Sequence, residues 1–227
     1  MIFVSGWKVR DRKRLLDIYG LMKKAHGHQG WWPGDTPLEI AVGAILTQNT
    51  AWTNVEKAIR CLKAAHALSL ARLRAIPPAR LAALIRASGY YTVKADRLKE
   101  FIAFVDARFG GSFDRMFSCD PAELRGLLLG VKGIGPETAD SILLYAGGKP
   151  VFVVDAYTKR IFGRLGFLGG DEPYDEIQRF FTERLPVDTA LYNDYHAQIV
   201  MLGKSVCRPK PRCDACPLRR RGCVIER

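Results

Sequence analysis

The apolar residues of this chain recur at three- and four-residue intervals almost from end to end, and that period admits helices and little else. Leu15, Tyr19 and Met22 share one helical face, as do Val55, Ala58, Ile59 and Leu62. The same holds for Leu81, Leu84 and Ile85, and for Leu98, Phe101, Ile102, Val105 and Phe109. Helix starts are marked by Thr36-Pro37-Leu38-Glu39 and Asp120-Pro121-Ala122-Glu123, each reading as a capping box with proline at the first helical position. Stops are marked by Ser88-Gly89 and Gly110-Gly111. The run Val151-Phe152-Val153-Val154 has the composition of a short strand, but without a partner run it reads as an extended lead-in to a helix after Asp155. The expectation is an all-α protein of about ten helices, with no internal repeat, low-complexity tract or long linker. A length of 227 residues allows one large domain or two small lobes.

Charge narrows the partners. Lys and Arg number 35 against 23 Asp and Glu, a net of +12, which favours a polyanion, whether DNA or RNA, and strongly salt-dependent binding. No stretch of about 20 apolar residues occurs, and Met1 to Arg10 lacks the apolar core of a signal peptide, so a cytosolic protein away from membranes is expected. Cys61 and Cys119 stand alone and read as buried small hydrophobes.

Two segments carry chemistry. In Gly130-Val131-Lys132-Gly133-Ile134-Gly135-Pro136, closely spaced glycines permit a turn with uncovered backbone N–H groups, and Pro136 suits the first position of the next helix. Such a turn holds a phosphate without reading base sequence, or it is a plain corner between two helices; the glycines alone weigh both equally. Near the other end, Cys207, Cys213, Cys216 and Cys223 are spaced C-x5-C-x2-C-x6-C. Structural disulfides are the weaker reading for a cytosolic chain, which leaves zinc or a [4Fe–4S] cluster. Only the middle pair is close, and that tilts the reading to the cluster. Around these cysteines Arg208, Lys210, Arg212, Arg219, Arg220, Arg221 and Arg227 outnumber Asp214 and Glu226, a surface suited to phosphates.

Taken together, Leu46-Thr47-Gln48-Asn49-Thr50, the glycine hairpin, Val153-Val154-Asp155, His196 and the cysteine loop resemble the helix–hairpin–helix DNA glycosylases, in particular the endonuclease III-like branch with a [4Fe–4S] cluster. The order and spacing of these motifs, across most of the chain, carry the resemblance. The family's usual spacing is C-x6-C-x2-C-x5-C, so each outer loop here differs by one residue. The resemblance implies two helical lobes with a DNA-binding cleft: residues 37–149 as the barrel with the hairpin, and residues 1–36 with 150–227 as the second lobe, whose loop 207–223 carries the cluster. It implies a monomer working on double-stranded DNA with a damaged base, nucleoid-associated, and a target nucleotide flipped out of the duplex. Lys132, Gly133, Ile134 and Gly135 would then grip phosphate, and Gln48 or Asn49 would enter the gap left by the flipped base. Asp155 falls on the catalytic aspartate, which stabilises the oxocarbenium-like sugar and orients water. Taken alone, an aspartate at that place is a helix N-cap. His196 reads as structural, since four cysteines complete the cluster.

The departure that matters most is Glu137. Bifunctional members have a lysine there, whose amine forms a Schiff base and leads to strand cleavage; a carboxylate cannot form an imine. The expectation is a monofunctional glycosylase. Trp31-Trp32-Pro33, Trp52 and Glu137 look like the pocket of the 3-methyladenine glycosylases of this superfamily, with Trp31 and Trp52 sandwiching the base and Trp32 and Pro33 shaping a wall. An N3-alkylated adenine is cationic and stacks well on indoles, at roughly 0.5–2 kcal/mol per ring. A pyrimidine-directed mismatch enzyme shares every motif except the tryptophans, and the adenine-mismatch branch lacks its catalytic acid, since Gly43 falls near that place. From another class, a non-catalytic DNA-binding module would keep the hairpin and metal loop alone.

Overall fold

The computed structural model describes residues 4–219, 221 and 223, with side chains from residue 11 onward. Arg220, Glu226 and Arg227 of the basic loop lie outside the described residues. Among the described residues there are twelve α-helices and no strand. The sequence count of about ten fell short at six-residue helices such as Leu70–Ala75 and Phe113–Ser118, too short to show a period. No helix among the described residues is long and apolar enough to cross a membrane.

The chain divides into two compact units, Pro33–Lys149 and Met1–Trp32 with Pro150–Arg227. The first holds α2 (Pro37–Leu46), α3 (Trp52–Ala64), α4 (Leu70–Ala75), α5 (Pro78–Leu84), α6 (Tyr91–Phe109), α7 (Phe113–Ser118), α8 (Pro121–Leu129) and α9 (Pro136–Ser141), which runs on as a wider turn over Ile142–Ala146. Its core is Ile45, Leu46, Val55, Leu62, Leu98, Phe101, Val105, Leu124, Leu128, Ile142 and Leu143, all fully enclosed. Starts and stops follow the local chemistry. Thr36 caps α2 by accepting from Glu39 N at 3.2 Å, and Asp120 caps α8 by accepting from Ala122 N and Glu123 N. The Glu39 carboxylate does not return the bond to Thr36; it accepts from Asp35 N and pairs with Lys63 at 2.7 Å. Gly110 ends α6 in the left-handed region at φ 58°, where a side chain would be strained.

The second unit holds α1 (Val4–His26), α10 (Ala156–Arg164), α11 (Tyr174–Thr182) and α12 (Thr189–Ser205). Rings fill its centre: Phe152 stacks on Phe181 with centroids 4.3 Å apart, and Phe162, Tyr192 and Tyr195 pack edge-on around them. This explains the Val151–Val154 run, whose Phe152, Val153 and Val154 are buried without a strand partner. Side chains take the place of a ladder: Gln178 Nε2 donates to Phe152 O at 2.8 Å, and Val154 N donates to the Tyr174 hydroxyl at 3.2 Å. The extended lead-in is thereby fixed, and Asp155 follows it directly.

The lone cysteines are not both buried as expected. Cys61 is exposed because α3 turns Val55, Ala58, Ile59 and Leu62 inward and leaves position 61 off that face. Cys119 is half-buried at the end of α7.

Candidate functional site

The hairpin joins α8 to α9. Val131 and Ile134 are buried and anchor it, while Lys132, Gly133 and Gly135 face solvent. Gly133 adopts φ 88°, and a Cβ there would lie 2.4 Å from the Arg97 side chain. Both facts demand glycine. Below the turn, Arg125 of α8 grips Asp140 of α9 in a two-pronged ion pair, Nε to Oδ1 at 2.7 Å and Nη2 to Oδ2 at 3.2 Å, with the carboxylate wholly buried. A third element supports the turn. Gln48, just past α2, donates to Gly133 O at 3.1 Å and to Thr138 Oγ1 at 2.9 Å, and its own carbonyl accepts from Arg97. Gln48 therefore braces the hairpin, whereas its neighbour Asn49 is exposed, with a left-handed backbone at φ 52°.

Behind this turn sits Lys94, only 1% exposed, whose ammonium donates to Leu46 O at 2.8 Å and Ser88 O at 2.7 Å. It ties the end of α2 to the turn before α6. Burial, with Arg97 nearby, lowers its pKa to about 8. Tyr90, in that second turn, is the most exposed aromatic residue described, at 71%, and also has a left-handed backbone, φ 46°. Glu137 is exposed on the first turn of α9, and Trp52 is half-buried at the first position of α3.

In the other unit Asp155 caps a helix, one of the two roles its position allowed. Its Oδ1 accepts from Thr158 N at 2.7 Å and Thr158 Oγ1 at 2.9 Å, and Thr158 Oγ1 accepts from Asp155 N at 3.3 Å, a full capping box at the start of α10. The cap consumes one oxygen. The other, Oδ2, lies 3.6 Å from His196 Nε2. Burial raises this carboxyl, but His196 and the Thr158 donors outweigh it, and Asp155 is held below its ordinary value. It is a buried carboxylate that stays charged.

α12 supplies more than His196. Gln198 Nε2 donates to Gly27 O at 2.7 Å, Asp194 accepts from the Tyr19 hydroxyl at 2.6 Å, and His28 Nδ1 lies 3.3 Å from Asp194. These bonds pin the segment leading to Trp31 and Trp32, whose half-buried rings meet edge to face at 5.3 Å. Pro33 follows them, exposed. At its C-terminal end α12 runs into the cysteine loop. Arg160 of α10 donates to Cys207 O at 2.8 Å and Gly203 O at 3.0 Å, and Arg164 lies 3.3 Å from Cys207 Sγ while donating to Arg208 O and Pro209 O. Burial pushes the Cys216 and Cys223 thiols up, and the like charge of Cys207 and Cys213 adds to both. Neighbouring cysteines that disfavour one another's ionisation are a donor set suited to a cation, and Arg164 stands beside Cys207. Among the described residues, no three His, Cys, Asp or Glu side chains converge on the position of one metal ion.

Residues 42–187 match the HhH-GPD superfamily base excision DNA repair proteins. The chain belongs to that superfamily. A protein of Methanocaldococcus jannaschii named "Putative DNA repair glycosylase MJ1434" is 46% identical over 204 residues, 89% of this chain and 92% of that one. Endonuclease III of Thermotoga maritima is 30% identical over 184 residues, 81% of each. Among solved structures, the H. pylori 3-methyladenine DNA glycosylase bound to 1,N6-ethenoadenine superimposes with a TM-score of 0.73 at 31% identity, over 85% of this chain and 96% of that one. The chain is thus an all-helical DNA glycosylase of the HhH-GPD superfamily. Sequence reasoning singled out Asp155 and the hairpin but not Arg97, Arg125 or Asp140, and it set His196 aside. A buried carboxylate needs a partner, and that rule alone would have prompted a search for one beside Asp155.

Proposed function

We propose that this glycosylase is monofunctional and hydrolyses the N-glycosidic bond of alkylated purines, 3-methyladenine foremost, in double-stranded DNA, leaving the strand intact. The observation that carries the proposal is the Asp155 carboxylate, buried, charged and with one oxygen left over after capping its helix. As the C1′–N bond breaks, its electron pair stays with the base, which for an N3-alkylated adenine leaves neutral. The sugar becomes oxocarbenium-like beside the carboxylate, a water oxygen bonds to C1′, and the water's proton passes to Asp155 Oδ2. A cationic leaving group needs no acid of its own. The absence of strand cleavage rests on Glu137, exposed where a lyase has its lysine.

The base is assigned to Trp31, Trp32, Pro33 and Trp52, supported by the likeness to the H. pylori enzyme. Hairpin residues Lys132, Gly133, Ile134 and Gly135 grip phosphate. Because Gln48 is engaged with the hairpin, Asn49 is the better candidate for the gap in the duplex. Cys207, Cys213, Cys216 and Cys223 would hold a [4Fe–4S] cluster, which would lock the terminal loop. About four irons per chain and absorbance near ~400 nm would support the cluster; one zinc in a colourless protein would refute it.

The test is a panel of single-lesion duplexes. Release of 3-methyladenine without thymine, uracil or oxidised pyrimidines is expected; the reverse order would move the enzyme to the endonuclease III side, where the Thermotoga relative stands. A protein that binds every duplex and releases nothing would be a binding module. Borohydride should trap no covalent adduct, and efficient trapping would sink the monofunctional assignment.

A further inference from the structure

We infer that His196 is a positioning residue for Asp155, setting the orientation of the one carboxylate oxygen that the helix cap leaves over. The inference rests on the reading of Asp155 as the reacting carboxylate. Three observations lead to it. First, the two oxygens of Asp155 are divided: Oδ1 takes both Thr158 donors, and Oδ2 has His196 Nε2 at 3.6 Å. A carboxylate held by one oxygen can still swing about its Cβ–Cγ bond; a second contact stops that rotation.

Second, His196 is 4% exposed in the middle of α12, where burying an imidazole is unfavourable unless a polar group meets it. The charged groups around it have other partners. Asp194 binds Tyr19 and Lys23 of α1, the Tyr195 hydroxyl donates to Leu15 O, and Arg160 of α10 donates to Cys207 O and Gly203 O. Burial raises the hydroxyl pKa of Tyr192 on the same helix, and the charge of Asp188 adds to it. Asp155 lies within ion-pair reach of His196, Oδ2 to Nε2 at 3.6 Å.

Third, the approach of α10 to α12 is built to be close. At Gly203, two turns beyond His196 on α12, a Cβ would lie 2.4 Å from the Tyr157 ring, so the glycine lets α10 pack onto the α12 backbone. That packing fixes how far the start of α10, and hence Asp155, stands from His196. The His196 side chain thus reports and transmits the helix packing to the carboxylate without touching substrate.

The test compares wild type with His196→Ala, which removes the imidazole, and His196→Gln, whose amide nitrogen reaches about as far as Nε2. Single-turnover base release is followed from pH 4.5 to 9 on the lesion duplex that wild type processes fastest, with duplex affinity measured beside it. The alanine variant should lose roughly ten- to hundredfold in rate with affinity unchanged, and its acid limb should move to higher pH because a group that holds the Asp155 pKa down is gone. The glutamine variant should recover most of the rate. In an Asp155→Asn background, His196→Ala should cost nothing further. An alanine variant with wild-type rate and an unmoved acid limb, or equal losses in both variants, or additive losses in the double variant, would overturn the inference. Wild-type release by Asp155→Asn alone would instead overturn the reading of Asp155.

Discussion

Asp140 inside α9 and Asp155 at the start of α10 are both enclosed aspartates, yet their surroundings make them opposites. Around Asp140, Arg125 saturates the carboxylate with two parallel bonds, and the outcome is a rigid joint between α8 and α9. Around Asp155, the cap takes one oxygen and His196 stands 3.6 Å from the other. A buried charge fully matched by a fixed partner is spent on structure; one matched on a single side retains the capacity to meet a charge that develops later. Lys94 is a third case, a buried cation matched only by carbonyl dipoles, and its lowered pKa records that weaker match.

The contrast can be broken at each member. Arg125→Met strands a carboxylate in the interior and should cost about 3–5 kcal/mol of stability, which for a chain this size lowers the thermal midpoint by roughly 10 °C, while base release per folded molecule stays near wild type. An unchanged midpoint would show that the joint is not structural. Asp155→Asn should do the reverse. Asparagine caps a helix as well as aspartate, so the melt should barely move, while single-turnover base release falls by about 10²–10³. If the melt falls and the rate does not, Asp155 is only a cap.

Gly133→Ala places a side chain at φ 88° against Arg97 and should cost about 1–3 kcal/mol, felt most as weaker duplex binding in a filter or anisotropy titration. Unaltered affinity would remove the hairpin from the DNA contact. For Lys94 the sign follows from a folded pKa of about 8 against an ordinary lysine value near 10.4. Between those values the unfolded chain keeps a proton that the folded chain has released. Unfolding free energy should therefore rise with pH across that window, by at most about 1.4 kcal/mol per unit, and stay flat below it. Urea midpoints at pH 7.5, 9 and 10 would show the slope, and Lys94→Met should abolish it.

What could be read beforehand was what the chain writes locally. Glycine and proline mark the hairpin, the aspartate follows a buried apolar run, and the cysteines cluster within a short loop; each signal needs only near neighbours. The Val151–Val154 run was legible as a lead-in because no partner strand exists among the described residues. The supports were not legible, because they join positions far apart. Gln48 meets Gly133 across 85 residues and Asp194 meets Tyr19 across 175, and no periodicity records such pairs. Gln48 is an example: its three bonds around the hairpin join it to residues that its own stretch of sequence does not indicate. His196 was passed over for the same reason. Nothing in its own stretch of sequence points to an aspartate on another helix.

The Tyr19–Asp194 bond has a consequence in time as well as in space. The unit that carries Asp155 is assembled from the two flanks of the other unit, Met1–Trp32 and Pro150–Arg227, so α1 cannot pair with α12 until α12 has left the ribosome. Pro33–Lys149 is a continuous stretch and has all its own partners well before then. A truncated or stalled product would therefore carry a finished hairpin while the unit that holds Asp155 was still unassembled.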